Sequence, residues 1–339
     1  ALGLGAAGAV ASIALALALT LWVGLHGARP AAGGVAPHWR PWVLLALPLA
    51  TFHLCLHGAM QFDLAVLKSR IAALAMAAGD APGRAAAQAA RFAAYYRAAQ
   101  TFAFIPYQMV MSLAFVLFPT LARHLARGDA RQTEQALCQT LRLAWLVLVP
   151  AATWVSANAL QLMQVAYPAG YVAGAPALRW LVWGVAALAL VVVQATALNA
   201  AGRAWWSTGV AALGLGAVLF GTRYAIDRTG PVPGALAAAG AATALAHVAL
   251  FAISALSVWL LFRARLAWRT LLRVGLAAAV MAGITRLWPG PGLWALLRSL
   301  VAGGLGYVGL LVLFGEVGRE DWQSLRTLLP QAKPPSGAG

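Results

Sequence analysis

Three polar side chains, His53, His57 and Gln61, occur at four-residue steps within an apolar stretch of the sequence, and Asp63 follows them. Because an α-helix turns once in 3.6 residues, side chains four apart lie on one face, so these three form a polar stripe. In a membrane helix such a stripe lines a hydrated pathway or makes hydrogen bonds between helices. A histidine pair at this spacing can ligate zinc, but no HExxH-type carboxylate accompanies it, and we predict no metal site.

Asp63 is one of only eight acidic residues in the chain, and it ends the same apolar stretch. A carboxylate at membrane depth can couple transport to a proton or a cation, whereas one at the membrane surface can pair with a neighbouring base such as Lys68. The sequence leaves both roles open. Asp63 therefore joins the polar stripe as a candidate for the lining of a substrate cavity.

A second candidate group opens the next apolar stretch, where Arg97 and Gln100 are about one helical turn apart. The planar guanidinium of arginine presents paired N–H donors that match two oxygens of a phosphate or pyrophosphate. Arg97 at the mouth of a cavity suits such a headgroup, and Arg91 is the second choice for this role. The alternative is that Arg97 extends to the membrane surface, where its charge stays in water.

The apolar blocks around these residues decide the fold class. Hydrophobic residues make up 62% of the 339-residue chain and charged residues 9%, whereas a soluble domain has about a quarter charged residues. Many blocks are about 20 residues long, as a membrane-crossing helix requires, and none alternates like a membrane β-strand. We therefore predict an all-α polytopic membrane protein with about nine transmembrane helices. The predicted spans cover residues 4–25, 42–63, 93–119, 143–164, 177–199, 205–226, 234–262, 270–288 and 292–314.

Basic residues lie mainly in the connections between blocks, which indicates membrane topology rather than nucleic acid binding, despite a net charge of +16. The more basic alternate set of connections is expected in the cytoplasm, together with the C-terminus. The connection after the second span breaks this pattern because it is basic yet falls on the outer side. Cys55 and Cys138 are expected to be free thiols.

Aromatic and small residues indicate how the helices sit and pack. Tryptophan and tyrosine at block edges are typical of the membrane interface, and this group comprises Trp42, Tyr95, Tyr96, Trp180, Trp205, Trp206 and Trp288. Small residues within blocks let helices approach closely, and this group comprises Gly214, Gly216, Gly303, Gly304, Gly306 and Gly309. Beyond the last span, the segment 316–329 is predicted to form a short amphipathic helix.

The sequence lacks the motifs of nucleotide binding and hydrolysis. It contains no Walker-type loop, no GxSxG elbow, no paired carboxylates and no large external loop that could hold an active site. With so few acidic residues, acid/base chemistry has few candidates. The sequence therefore favours a transporter or flippase over an enzyme, and we predict no cofactor.

Four stretches carry a resemblance to a known family by their order and spacing. They are FDLAVLKSRIAAL at 62–74, the segment 93–129 with its central proline and FPTLAR ending, the proline-bearing span and Tyr/Gly loop at 148–181, and ALNAAGRAWW at 197–206. Together they resemble the polysaccharide and oligosaccharide-lipid flippases, relatives of the lipid II flippases, in the multidrug/oligosaccharidyl-lipid/polysaccharide exporter superfamily. The long basic connection at 68–92 departs from the pattern of that family.

The resemblance implies an architecture. The chain would correspond to helices 6–14 of a fourteen-helix, MATE-like exporter with two lobes, so that about five helices are expected to be missing from its N-terminus. Residues 1–30 would be the last helix of the first lobe and 31–262 the helix bundle of the second lobe. Residues 263–314 would be two additional transmembrane helices, and 315–339 a partly disordered cytoplasmic tail.

The resemblance also implies a function, the outward transport of a polyprenyl-pyrophosphate-linked glycan across the inner membrane for cell-surface polysaccharide biosynthesis. The expected partners are that glycolipid, the lipid bilayer and polysaccharide-assembly proteins, without nucleic acid. Arg97 matches the cavity-facing arginines of the family, with Gln100, Arg91, His53, His57, Gln61 and Asp63 as further cavity candidates. A MATE-type drug/cation antiporter and a membrane-embedded glycan polymerase or ligase are the alternatives.

Overall fold

The computed structural model describes residues 39–229, 234–287, 290 and 292–316, with side chains from residue 46 onward. Within these ranges the regular secondary structure is entirely helical, which confirms the predicted fold class. The α-helices are α1 (Trp39–Ala77), α2 (Pro82–Ala103), α3 (Ile105–Ala126), α4 (Ala130–Ala157), α5 (Ala159–Ala166), α6 (Ala175–Ala200), α7 (Ala204–Thr229), α8 (Gly234–Phe262), α9 (Trp268–Leu287) and α10 (Leu293–Leu313). A 3₁₀ helix (Ala169–Gly174) leads into α6.

Seven segments of the described chain are long and apolar enough to cross a membrane: α3, α4, the 3₁₀ helix with α6, α7, α8, α9 and α10. These segments make the chain a multi-pass membrane protein. The predicted span 234–262 coincides with α8, and the spans around it differ from α6, α7, α9 and α10 by a few residues. The predicted span 4–25 and the amphipathic segment beyond residue 316 lie outside the described residues.

The basic connection predicted after the second span is wrong, because most of it is helix. Helix α1 continues to Ala77, α2 begins at Pro82, and only residues 78–81 lie between them. Proline suits the first turn of a helix because its missing N–H has no partner there in any case. Within this segment, Arg70 Nε donates to Asp227 of α7 over 2.8 Å.

The predicted span 93–119 is also wrong, because two helices share it. Helix α2 ends at Ala103, Phe104 separates the helices, and α3 starts at Ile105. Pro106 lies in the first turn of α3, and because proline has no N–H, the helical hydrogen bond to the Phe102 carbonyl cannot form. The break therefore follows from the proline that the sequence placed in the middle of the span.

Helix α6 is the centre of the bundle. Its apolar window is 83% buried, whereas the other six membrane-length segments are between 28% and 44% buried. A helix that is apolar on all sides is stable only when other helices surround it. Helices α2, α3, α4 and α8 all pack against α6, so it forms the framework on which the remaining helices are placed.

Glycines set the closest helix contacts. A Cβ on Gly184 of α6 would lie 2.5 Å from the Cα of Ala244 on α8, so the two backbones touch there. The predicted packing roles are confirmed for three glycines whose Cβ would meet a neighbouring helix, Gly214, Gly303 and Gly306. For Gly216, Gly304 and Gly309, a Cβ would meet no described residue within 4 Å, so the described part of the chain gives these three no packing contact.

Helices α9 and α10 are fastened to α4 by polar contacts along its length. The Tyr307 hydroxyl of α10 donates to the Leu146 carbonyl over 3.0 Å, and Trp154 Nε1 donates to the Ser299 hydroxyl over 3.1 Å. Apolar residues of α9 and α10 fill the space between these bonds. The two helices therefore pack as a pair on one flank of the bundle.

Glu316, just after α10, makes side-chain hydrogen bonds to both α9 and α4. Its buried carboxylate accepts hydrogen bonds from Thr270 (2.6 Å) and Arg273 (3.0 Å) of α9 and from Arg142 (3.2 Å) of α4. Burial acts to raise the pKa of the Glu316 carboxyl, but the hydrogen bonds from Thr270, Arg273 and Arg142 outweigh burial and hold that pKa below its usual value. The charged form of Glu316 is the form that stabilises the structure.

The contact between α6 and α8 can be tested by Gly184→Ala. The added methyl group must push the two backbones apart, and overpacking of this kind costs about 1–3 kcal/mol. We expect a lower unfolding temperature in detergent for Gly184→Ala. Gly216→Ala is the matched control, because its methyl group points into open space and alanine favours a helix. Equal unfolding temperatures for the two variants would contradict the described packing.

The Glu316 fastening predicts a dependence of stability on pH. A carboxyl whose folded-state pKa is depressed stabilises the fold above its unfolded pKa, and the stabilisation is lost as the pH falls through the folded pKa. We expect Glu316→Gln to unfold at a lower temperature than the wild type at neutral pH and to lose less stability on acidification. Glu134→Gln serves as the control, and an acid loss in Glu316→Gln as large as in the wild type would exclude this role.

Candidate functional site

The Asp63 carboxylate connects α1 with α2 inside the bundle. Asp63 is 1% exposed, and one of its oxygens accepts a hydrogen bond of 2.7 Å from the Tyr96 hydroxyl. The Gln100 amide, 2% exposed, donates to both carboxylate oxygens over 3.0 and 3.2 Å. Tyr96 and Gln100 are four residues apart, so they present their donors from one face of α2.

Helices α7 and α8 complete the surroundings of this carboxylate. The Thr243 hydroxyl of α8 donates to Asp63 over 3.4 Å and lies 3.3 Å from the Thr222 hydroxyl of α7. The backbone N–H of Leu64 adds a donor at 2.7 Å. Thr243 is nine residues beyond the first residue of α8, about 13 Å along its axis at 1.5 Å per residue. Asp63 therefore lies well within the length of the helices.

Arg97 joins this network at the protein surface. Its Nη1 donates to Gln61 Oε1 over 2.8 Å and to Gln100 Oε1 over 3.2 Å. Gln100 therefore accepts from a cation and donates to the Asp63 anion. A chain of hydrogen bonds that ends in opposite charges polarises and strengthens each bond in it. The orientation of Arg97 depends on the buried carboxylate, although the two side chains do not touch.

The predicted stripe is present as an exposed face of α1. His53, His57 and Gln61 are all exposed, and the two histidine rings lie 6.2 Å apart between centroids. His57 Nδ1 is 2.9 Å from the His53 carbonyl oxygen. Within the described chain, no group of three His, Cys, Asp or Glu side chains is placed to hold a metal ion.

Arg97 and the stripe together form what we call the polar face, made of His53, His57, Gln61 and Arg97. Arg97 has five N–H donors, and within the described residues only its Nη1 is hydrogen-bonded. The remaining donors are therefore directed to whatever occupies the space beside α1 and α2. An anion with two adjacent oxygens, such as a phosphate, is the chemical partner that these donors match.

Arg91 is not part of the polar face. It is exposed, its Nε donates to the Tyr95 hydroxyl over 2.8 Å, and Tyr95 in turn contacts the ring of Tyr171 in the 3₁₀ helix. The structure thus brings together six of the seven predicted site residues and separates Arg91 from them. Arg91 anchors an aromatic cluster near the middle of α2.

The burial of Asp63, Tyr95 and Tyr96 corrects two predictions made from the sequence. The alternative that placed Asp63 at the membrane surface beside Lys68 is wrong, because Asp63 is buried and bonded to α2 and α8. The assignment of Tyr95 and Tyr96 to the membrane interface is also wrong, since they are only 8% and 0% exposed. Trp180, Trp205 and Trp206 are more than half exposed, as an interfacial residue requires.

Tyr96 and Thr243 are site residues that the sequence alone did not reveal. Tyr96 has the same four-residue spacing to Gln100 that defined the histidine stripe, so the signal was present but was read as an interfacial aromatic. Thr243 lies 180 positions from Asp63 in an alanine-rich helix, and nothing local distinguishes it. Cys55 and Cys138 are free thiols, as predicted.

Asp63→Asn tests the structural role of the carboxylate. An asparagine replaces one acceptor oxygen by an NH₂ group, which faces the donors of Tyr96 or Gln100, and an unsatisfied buried polar group costs about 1–3 kcal/mol. We expect a lower unfolding temperature in detergent. Asp80→Asn, in the exposed turn between α1 and α2, is the control and should unfold like the wild type. An unchanged unfolding temperature for Asp63→Asn would show that the network does not stabilise the bundle.

Comparisons with known proteins agree with this architecture. The solved structure of the lipid II flippase MurJ in an inward closed conformation matches with a TM-score of 0.62 at 13% sequence identity, and the match covers 86% of this chain and 57% of that chain. The chain therefore spans little more than half the length of that relative. A comparison with curated protein sequences gave no match.

A family model described as lipid II flippase MurJ matches residues 72–301. This range contains Arg97, Gln100 and Thr243, and it begins after Asp63. Because the match covers more than half of the sequence, it establishes membership, while the structural likeness at low identity supports the fold. The chain belongs to the lipid II flippase MurJ family.

Proposed function

We propose that this protein transports a polyprenyl-pyrophosphate-linked glycan precursor across the cytoplasmic membrane and that the polar face binds its pyrophosphate. The proposal rests on the position and hydrogen bonds of Arg97. Its guanidinium is exposed, is held by Gln61 and Gln100, and has N–H donors to spare among the described residues. Membership of a family named for lipid II flippases supports a lipid-linked substrate of this kind.

The binding step follows from the geometry of Arg97. Gln61 and Gln100 fix one end of the guanidinium before the substrate arrives, so little side-chain entropy is lost on binding. The free edge of the guanidinium then pairs with two phosphate oxygens. His53 and His57, on the same face of α1, provide further polar groups for the glycan. The polyprenyl tail remains in the surrounding lipid during transport.

Transport requires a second conformation of the protein, in which the polar face is open to the other side of the membrane. We propose that the chain exposes this face alternately to the two sides of the membrane, with its C-terminus in the cytoplasm, and that parts of the protein beyond the described residues form the opposite wall. The Asp63 network keeps α1, α2 and α8 together during such a movement. Its donors are uncharged side chains and one backbone N–H.

The alternatives receive less support from the structure. A membrane-embedded glycan polymerase or ligase was considered because a long basic loop at 68–92 could have held catalytic residues. That segment is helix except at residues 78–81, so the described chain offers no loop there for an active site. A drug/cation antiporter needs an intramembrane carboxylate that is accessible to the cation, whereas Asp63 is enclosed by four donors.

Arg97→Ala tests the proposal in the intact protein. The variant removes a charge-assisted, two-point contact with phosphate, and such bonds contribute about 1.5–3 kcal/mol each. We expect the affinity for a polyprenyl-pyrophosphate-linked disaccharide, measured by native mass spectrometry, to fall by at least about tenfold. Arg97→Lys should give an intermediate affinity, because lysine keeps the charge but not the planar pair of donors.

Arg298→Ala is the matched control for this measurement. Arg298 is an exposed arginine within α10, a helix that packs on α4 and α9 and not on the polar face. We expect its affinity for the glycolipid and its rate of transport to match those of the wild type. If Arg97→Ala binds and transports as well as Arg298→Ala, the assignment of the pyrophosphate to Arg97 is wrong.

A further inference from the structure

Two adjoining cavities lie between α4, α6 and α8, apart from the polar face. The first has a volume of about 180 Å³ and an almost entirely apolar lining that includes Trp183 and Val248. The second has a volume of about 310 Å³ and reaches the connection between α8 and α9, where Arg265 lines it. Trp145 and Phe251 line both cavities, so the two adjoin at these side chains, and we refer to them together as the slot.

The lining of the slot changes from apolar to polar toward the C-terminal ends of α6 and α8. On α6, Trp183 and Leu190 line the apolar cavity, and Gln194, one turn beyond Leu190, lines the second cavity. On α8, Val248 precedes Ala255 in the same sense. The apolar cavity is therefore the deeper end of the slot, Gln194 lies near the middle, and Arg265 lies at the mouth.

Two buried polar atoms in the slot have no partner. Trp145 Nε1 and Gln194 Oε1 are both buried and make no hydrogen bond among the described residues. Both residues line the second cavity, and Gln194 is only 2% exposed. An unsatisfied buried polar group is costly and uncommon in a folded protein. A ligand in the cavity that supplies hydrogen-bonding atoms would remove this cost.

Arg265 at the mouth of the slot is available to an anion. Its side chain is exposed, and within the described residues its guanidinium has neither a hydrogen bond nor an ion pair; only its backbone carbonyl is used, at 3.6 Å from Cys138 Sγ. The carboxylate of Glu316, which contacts the first turns of α9, is paired with Arg142 and Arg273 and not with Arg265. A phosphate at Arg265 would therefore meet an unshared guanidinium.

We propose that the slot binds a diacyl glycerophospholipid of the surrounding membrane, with its phosphate at Arg265, an ester carbonyl at Trp145 and one acyl chain in the apolar cavity. The sequence of groups in such a lipid, phosphate then ester then hydrocarbon, is the order of groups along the slot. Trp145 Nε1 is a donor and matches the ester carbonyl. The Gln194 amide can donate to the second ester once it rotates by 180°, since its O and N positions are interchangeable.

The transported glycolipid is a poorer match for this slot. A polyprenyl pyrophosphate has no ester carbonyl between its phosphate and its hydrocarbon, so Trp145 and Gln194 would stay unpaired beside it. The phospholipid site is therefore separate from the polar face, and it stands whether or not Arg97 binds pyrophosphate. It would fasten α4, α6 and α8 to the connection that leads into α9.

The ester contact can be tested on the wild-type chain without any substitution. We expect purified, delipidated protein to bind palmitoyl-oleoyl phosphatidylglycerol about fivefold more tightly than the diether lipid of the same chain lengths, by native mass spectrometry, because the ether lacks the accepting carbonyl. Equal affinity for the two lipids would overturn the proposal. Displacement of the bound ester lipid by an equal concentration of undecaprenyl phosphate would also overturn it.

Two variants assign the contacts to their residues. Arg265→Gln should weaken the binding of both lipids by about fivefold or more, since it removes the charged partner of the phosphate. Trp145→Phe should reduce the preference for the ester to the part that Gln194 supplies, while leaving the binding of the ether lipid unchanged. Trp294→Phe, which alters an exposed tryptophan on α10 that does not line the slot, should keep the full preference. An ester preference in Trp145→Phe as large as in the wild type would exclude the role of Trp145.

Discussion

The hydrogen bonds of the Asp63 carboxylate with Tyr96, Gln100 and Thr243 join α1, α2 and α8. A charged group buried among apolar helices is tolerated only when its lone pairs are satisfied, so these helices must meet in one register. The same register directs Gln100 toward Arg97, which places a guanidinium on the surface beside the histidine stripe. The position of Arg97 in the polar face therefore depends on the buried hydrogen bonds of Asp63.

Helix α6 makes such a buried arrangement possible. Because it is apolar on every side and nearly enclosed, the helices around it are held at fixed positions. Contact between backbones at Gly184 brings α8 close to α6, and it therefore fixes the helix that carries Thr243. Close packing at alanine and glycine makes the bundle rigid. The few polar side chains inside it are therefore held in fixed positions and orientations.

Polar residues outside the Asp63 network serve two further purposes. Glu316 fastens α9 and α10 to α4 through three hydrogen bonds, and that pair of helices carries no part of the polar face. Trp145 and Gln194 lie unpaired beside a slot that ends at Arg265. Glu316 thus has partners within the described chain, whereas Trp145 and Gln194 carry the proposal of a lipid site.

The sequence by itself determined the helical fold class, most of the membrane segments and the exposed polar stripe, because hydrophobic length and the 3.6-residue period are local properties. It also placed Arg97 beside Gln100, which are one turn apart. Only the tertiary structure decided that Asp63 is buried and that Thr243 is its partner, because contacts between residues 180 positions apart follow from how helices pack. The helical character of the basic segment likewise depended on packing, which outweighs the local signal of charge, whereas the break at Phe104 follows from Pro106 in the sequence itself.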